Sequence, residues 1–300
     1  MDFAIQVILP AAQAFIMFSL GLGLTLADFG RVFRGGKALL IGIVCQIVLL
    51  PIVAFGIVSG FDLPPVLAAG AMLVAFCPGG VSSNVITKLA RGDLALAVSL
   101  TAVTSLIAFM TVPPLAALAI VHFMGEAAPE FSISNLAVFT FVLTTVPVMT
   151  GVLVRHVFAA FSIRVEKFLS NLAVILWLIL LVFLFVGNWD LVARTFEMMG
   201  PALLLLPFVL MVMGWGAGRL LGVSRTQSKT LSIETSIQNS PLGVALAGAI
   251  MGTTAGISEL ALPSGLYSIT MYVVALPAIL LFRRIDGAEN SQAGMAPASS

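Results

Sequence analysis

Nine runs of mostly apolar residues, each near the length of a bilayer crossing, leave this chain few ways to fold. They cover roughly 3–26, 38–59, 65–89, 94–124, 134–154, 168–186, 202–221, 230–251 and 260–282. Hydrophobic residues make up 60% of the 300 positions and charged ones 9%, whereas soluble domains average about 45–50% and about 25%. The expected class is therefore an all-α polytopic membrane protein with about nine transmembrane helices. The fourth run carries Pro113-Pro114 and is expected to tilt, bend or end early. The polar stretch 285–300 is expected to be a disordered tail.

The charges orient the chain. With the N-terminus outside, one face receives 13 of the 14 basic residues: Arg31, Arg34, Lys37, Lys88, Arg91, Arg155, Arg164, Lys167, Arg219, Arg225, Lys229, Arg283 and Arg284. The other receives Arg194 alone. That asymmetry places the basic face in the cytoplasm of a cell (inner) membrane protein, with the N-terminus outside and the C-terminus inside. The first run has Asp2 and no basic flank before it, so it is expected to be a retained span and not a signal peptide. A net charge of +1, with the cations in short loops, gives no basis for a nucleic-acid partner. Cys45 and Cys77 both lie in apolar runs, where a structural disulfide is not expected.

Chemistry concentrates in two runs. The third contains Cys77-Pro-Gly-Gly-Val-Ser-Ser-Asn84, and the eighth contains Glu234-Thr-Ser-Ile-Gln-Asn-Ser-Pro241. A carboxylate at membrane depth costs about 3 kcal/mol or more unless it meets a partner or a watery cavity, so Glu234 reads as a cation-holding residue. Helix breakers at the same depth are tolerated only in protein or beside a cavity, and paired interruptions in two halves point to a transporter's binding site. The two runs are offset by five spans, which inverts one half against the other in a four-plus-five repeat. The half-helices after the breaks, opened by Val81, Ser82 and Ser83 and by Asn239 and Ser240, offer N-termini suited to a carboxylate. No Lys or Arg is expected to be buried nearby. With both histidines at span ends and no acidic pair in the membrane, no catalytic constellation is evident and an enzyme is not expected.

On the motif 77–93 and on Glu234-Thr-Ser-Ile-Gln-Asn-Ser240, the chain resembles the bile acid:sodium symporter family, in a bacterial-type form with nine spans. The resemblance implies two broken helices crossing in a core domain (about 65–124 and 200–284) and a panel domain (about 3–59 and 134–186) that moves against it in alternating access. It implies symport of an organic anion, bile-acid-like, pantothenate-like or keto-acid, with two Na+ ions as cofactors. The alternative on the same scaffold is a proton-coupled carrier or exporter. The first sodium site would use Ser83, Asn84, Thr101 and Glu234. A further ligand position falls on Ala97, which has no oxygen, with Thr104 or water as a substitute. The second would use Gln46, Glu234 and Gln238 with the carbonyls of Thr235 and Ile237; Gln46 could equally be an interhelical hydrogen-bonding residue. A His-Asn pair of some relatives is replaced by Met271 and Tyr272. The expected partners are a small organic anion, sodium and the lipid bilayer, with the oligomeric state open.

Overall fold

Helix boundaries follow the breakers in the sequence. The computed structural model describes residues 7–28, 30, 36–252 and 257–293, with side chains as far as 284. Asp2, Arg31, Arg34 and the end of the tail, 294–300, lie outside the described residues. The helices are α1 (Leu9–Gly23), α2 (Gly36–Gly60), α3 (Pro65–Phe76), α4 (Val81–Leu89), α5 (Leu94–Met124), α6 (Ile133–Leu143) and α7 (Thr145–Val157). They continue with α8 (Ala159–Val186), α9 (Trp189–Leu220), α10 (Arg225–Ser236), α11 (Ser240–Met251) and α12 (Leu262–Ala293). Among the described residues, six helical stretches are long and apolar enough to cross a membrane, and α1, α3 and α11 are shorter apolar helices. The chain is thus an all-α, multi-pass membrane protein.

Each departure from nine plain rods has a local cause. In α2, residues Cys45–Leu49 form a π-helical turn, and the Leu50 N–H reaches back to the Cys45 carbonyl. Pro51 follows at once and has no N–H to continue the regular ladder. The fifth run divides into α6 and α7 at Thr144, three residues before Pro147. By contrast α5 runs unbroken through Pro113 and Pro114 to Met124, so it does not end early. Nor does the backbone lose order at residue 285, since α12 stays helical to Ala293. Adding residues to an existing helix needs no new nucleus, which lets Ala288, Glu289 and their neighbours extend it.

Close packing joins α1 to α7. A methyl on Gly21 would overlap the Val148 carbonyl, and one on Gly151 would overlap the Phe18 carbonyl. Small residues permit this approach, which is how membrane helices gain dispersion contacts without a hydrophobic driving force. A second group forms around the breaks: α3 packs on α5, α11 and α12, and α10 packs on α9, α4, α5 and α2. The second span, grouped with 134–186 in the sequence reading, packs instead on α3, α5, α9 and α10. The physical reason is its Gln46, whose amide finds polar partners only at the breaks.

Both breaks are also tied together at one end of the bundle. The Asp93 N–H donates to Thr230 Oγ1 at 2.8 Å, and Thr230 Oγ1 returns a bond to the Asp93 carbonyl at 3.1 Å. Asp93 caps α5 by accepting from Leu96 N–H, and Arg283 Nε donates to the Leu89 carbonyl at 2.9 Å. Lys229 is a correction to the reading of its region. It is 1% exposed on α10, with its ammonium 6.0 Å from the centre of the Phe282 ring, and does not sit in a loop. Its long apolar stem lets it belong to the helix while the span, judged on hydropathy, starts one residue later.

Candidate functional site

The site begins with two interruptions that pair with each other. After Phe76 the chain passes Cys77, Pro78, Gly79 and Gly80 before α4, and after Ser236 it passes Ile237, Gln238 and Asn239 before α11. Gly79 and Gln238 form an isolated antiparallel bridge, and the Asn239 N–H donates to the Pro78 carbonyl at 2.9 Å. Backbone groups released from two helices are thereby satisfied by one another, as membrane depth requires. The Tyr267 hydroxyl of α12 donates to the Ser236 carbonyl at 2.8 Å, satisfying a carbonyl at the buried end of α10.

Glu234 stands at this crossing, 4% exposed. Its Oε2 accepts from Thr101 Oγ1 at 2.8 Å, while its Oε1 is buried with no protein hydrogen-bond partner. A methyl placed on Gly79 would lie 3.0 Å from Glu234 Oε2, 3.5 Å from Thr101 Oγ1 and 3.7 Å from Ser83 Oγ. Three side-chain oxygens from α10, α5 and α4 thus converge over a glycine. Asn84, next after Ser83, adds an Oδ1 that is buried without a partner. The structure therefore draws Ser83, Thr101 and Glu234 together, with Asn84 on the adjoining position of α4. Ala97 is fully buried one turn before Thr101 and offers no oxygen. The Thr104 hydroxyl, the suggested substitute, donates back to the Leu100 carbonyl at 2.8 Å.

Another oxygen-rich cluster lies on the α2 side. Gln46 Nε2 donates to Gln238 Oε1 at 2.6 Å and to the Cys77 carbonyl at 3.0 Å, and Gln238 Nε2 donates to the Thr235 carbonyl at 2.8 Å. Gln46 lies within the π turn of α2. Ile237 continues the extended segment that ends α10. The polar atoms of this cluster already satisfy one another, unlike those around Glu234 Oε1.

The two half-helix N-termini differ. At α11 the Ser240 N–H is bonded to the Gln238 carbonyl, Pro241 has none, and the Leu242 N–H is capped by Asn239 Oδ1. That end has little left for an anion. At α4 the cap residue is Gly80, whose carbonyl accepts from the Ser83 N–H at 3.0 Å, and no side chain caps the first turn of Val81, Ser82 and Ser83. Sequence reasoning missed Gln13, fully buried on α1 with both amide atoms unpaired, although a lone amide in an apolar run was a visible signal.

Residues 11–195 match the sodium bile acid symporter family. Among curated proteins the chain is similar to the uncharacterized sodium-dependent transporter YocS of Bacillus subtilis (strain 168), 32% identical over 85% of this chain and 76% of that protein. It is also similar to the probable sodium/metabolite cotransporter BASS1, chloroplastic, of Arabidopsis thaliana, 31% identical over 86% of this chain. The chain spans 63% of that plant protein's length. With the human ileal sodium/bile acid cotransporter it shares 23% identity over 79% of this chain and 68% of the other. The chain belongs to the sodium bile acid symporter family, a family of transporters and not of enzymes.

Proposed function

We propose that the chain is a secondary symporter that couples sodium entry to the uptake of a small organic anion by alternating access. The observation that carries this is the convergence of Glu234, Thr101 and Ser83 over Gly79, with Glu234 Oε1 and Asn84 Oδ1 buried and unpartnered. Sodium is a hard cation that takes oxygen ligands, and a buried carboxylate with free valence needs a cation to offset its charge. Relatives named as sodium-dependent transporters support sodium as the driving ion.

Two ions travel per cycle in this reading. The first is held by Ser83, Asn84, Thr101 and Glu234. The second is held by Gln46, Glu234 and Gln238 with the Thr235 and Ile237 carbonyls, once the two amides turn their oxygens inward. Amide orientation follows the hydrogen-bond network, so an arriving cation can reverse it. The anion's carboxylate is received at the start of α4, by the N–H groups of Val81 and Ser82 and by Ser83, whose own N–H is shared with the Gly80 carbonyl, with the Asn239 amide and Ser240 hydroxyl beside it. The group α1 with α6, α7 and α8 would move as the panel against the core of α2–α5 and α9–α12.

The test is a thermal-unfolding screen of small organic anions, bile-acid-like, pantothenate-like and keto-acid among them, with and without sodium. Linked ligands stabilise one another, so at least one anion should raise the midpoint more in sodium than in choline. Equal shifts in both buffers for every anion would sink the coupling. The proposed orientation, N-terminus outside and C-terminus in the cytoplasm, has its own check. In intact cells an impermeant thiol reagent should tag Asp2→Cys and spare Ser300→Cys; tagging of the second, or sparing of both, would refute it.

A further inference from the structure

A groove of about 520 Å³ opens between α9 and α12, lined by Met211, Val212 and Trp215 on one side and by Val274, Ala278 and Phe282 on the other. Its one hydroxyl belongs to Ser232 of α10 and is already spent, donating to the Met211 carbonyl at 2.6 Å. Packing explains the space. Small residues bring α9 onto α10, since a methyl on Gly214 would stand 2.7 Å from the Leu231 carbonyl oxygen and one on Gly218 2.7 Å from Ser228 Oγ. Towards α12 the side chains of Pro277 and Ala278 are short and leave the gap unfilled. Trp215 and Phe282 stack across one end, with ring centres 5.0 Å apart.

The charge at that end is of one sign. The α9 stripe of Phe208, Met211 and Trp215 continues one turn on to Arg219, and on α12 Arg284 follows Leu281 by three residues, both arginines being exposed. Five cations, Arg219, Arg225, Lys229, Arg283 and Arg284, fall between residues 198 and 284. The carboxylates in that stretch are two: Glu234 at the crossing and Glu259 in the turn ahead of α12, at its opposite end. Basic clusters between membrane helices recognise anionic head groups, and an arginine fork matches a phosphate.

We propose that this groove holds an anionic phospholipid, one acyl chain lying along Trp215 and Ala278 and the phosphate between Arg219 and Arg284. The apolar lining fits the chain and the paired arginines fit the head, which sets this lipid apart from the neutral lipids that touch any exposed face. In the proposed orientation it is drawn from the cytoplasmic leaflet, where acidic lipids concentrate. The inference stands apart from sodium coupling. Ser232 lies two residues before Glu234, so a chain in the groove packs on the helix that carries the carboxylate.

The experiment uses the full chain in phosphatidylcholine bilayers doped with brominated phosphatidylglycerol or with brominated phosphatidylcholine, since an acyl-chain bromine quenches a tryptophan that it touches. Subtracting the signal of Trp215→Phe isolates Trp215 from the other tryptophans, Trp177 and Trp189. Half-maximal quenching should need a mole fraction of brominated phosphatidylglycerol about tenfold lower or more than of brominated phosphatidylcholine, each arginine contributing about fivefold. Arg219→Gln and Arg284→Gln should each weaken the preference about fivefold and together remove it. Arg164→Gln, which alters an exposed cation of α8, should leave it unchanged. Ala278→Phe should fill the groove and shield Trp215 from both lipids. Equal quenching by both lipids in the wild-type chain would leave only bulk bilayer in the groove and overturn the site. So would a preference that survives loss of both arginines, or competition by millimolar glycerol phosphate, which would mark a site for soluble organophosphates. No quenching by either lipid, in a chain that cross-links as a dimer through α12, would put a second copy there instead.

Discussion

Glu234→Gln should fold normally and lose its response to sodium, with the concentration for half-maximal uptake rising about 100-fold or more. The substitution keeps the volume of the side chain, and the new amide oxygen can still accept from Thr101 Oγ1, which now bonds Glu234 Oε2 at 2.8 Å. What disappears is the negative charge that both proposed ions share. Removing one partner of a buried charge pair costs about 3–5 kcal/mol, and about 1.4 kcal/mol is tenfold in an equilibrium constant, so a loss of two decades or more follows. Unfolding without sodium should stay at the wild-type temperature or rise, since a costly buried carboxylate has gone. Sodium stabilising Glu234→Gln as strongly as the wild-type chain would remove Glu234 from the ion path.

Gly79→Ala should damage the same cage by filling it, and Ala97→Ser should improve it. The added methyl would stand 3.0 Å from Glu234 Oε2 and 3.5 Å from Thr101 Oγ1, in the space where their oxygens converge. Overpacking of this kind typically costs about 1–3 kcal/mol, so half-saturation by sodium should rise roughly tenfold or more. The backbone at Gly79 has a bridge to Gln238 that alanine can also make, which keeps the effect on the cage and not on the crossing. Ala97 lies one turn before Thr101 and is fully buried, so a serine there can turn a hydroxyl to the same ion. One added oxygen, worth about 1 kcal/mol, should lower half-saturation roughly threefold to tenfold. Sodium titrations of the two variants that both match the wild-type curve would show that this cage is not used.

Much of this arrangement was legible because it rests on costs that act locally. Pro78, Gly79, Gly80 and Pro241 break helices wherever they stand, and Glu234 is expensive in any apolar run, so both breaks and the buried carboxylate at their crossing could be named from residue types. Partnerships across the chain could not. Nothing in the spacing of Gly79 and Gln238 says that they form a bridge, and nothing near Asn239 says that its side chain caps the Leu242 N–H. The π turn of α2 had a signal in Pro51, yet the grouping of α2 with the crossing depends on where the partner of Gln46, Gln238, lies. Lys229 was assigned to a loop because hydropathy places a boundary beside every cation, whereas a long stem can be buried with its helix. Gln13 carried the same signal as Glu234 in weaker form, an amide in place of a charge, and was passed over.

The central claim is that an inward sodium gradient does work on an anion, and uptake into proteoliposomes measures it directly. The anion that shows sodium-dependent stabilisation is supplied outside at fixed pH, with a sodium gradient in one sample and an equal potassium gradient in the other. The account predicts accumulation above the external concentration with sodium and none with potassium, the former abolished by Glu234→Gln. Equal accumulation in potassium, or accumulation that follows an imposed proton gradient and ignores sodium, would contradict it.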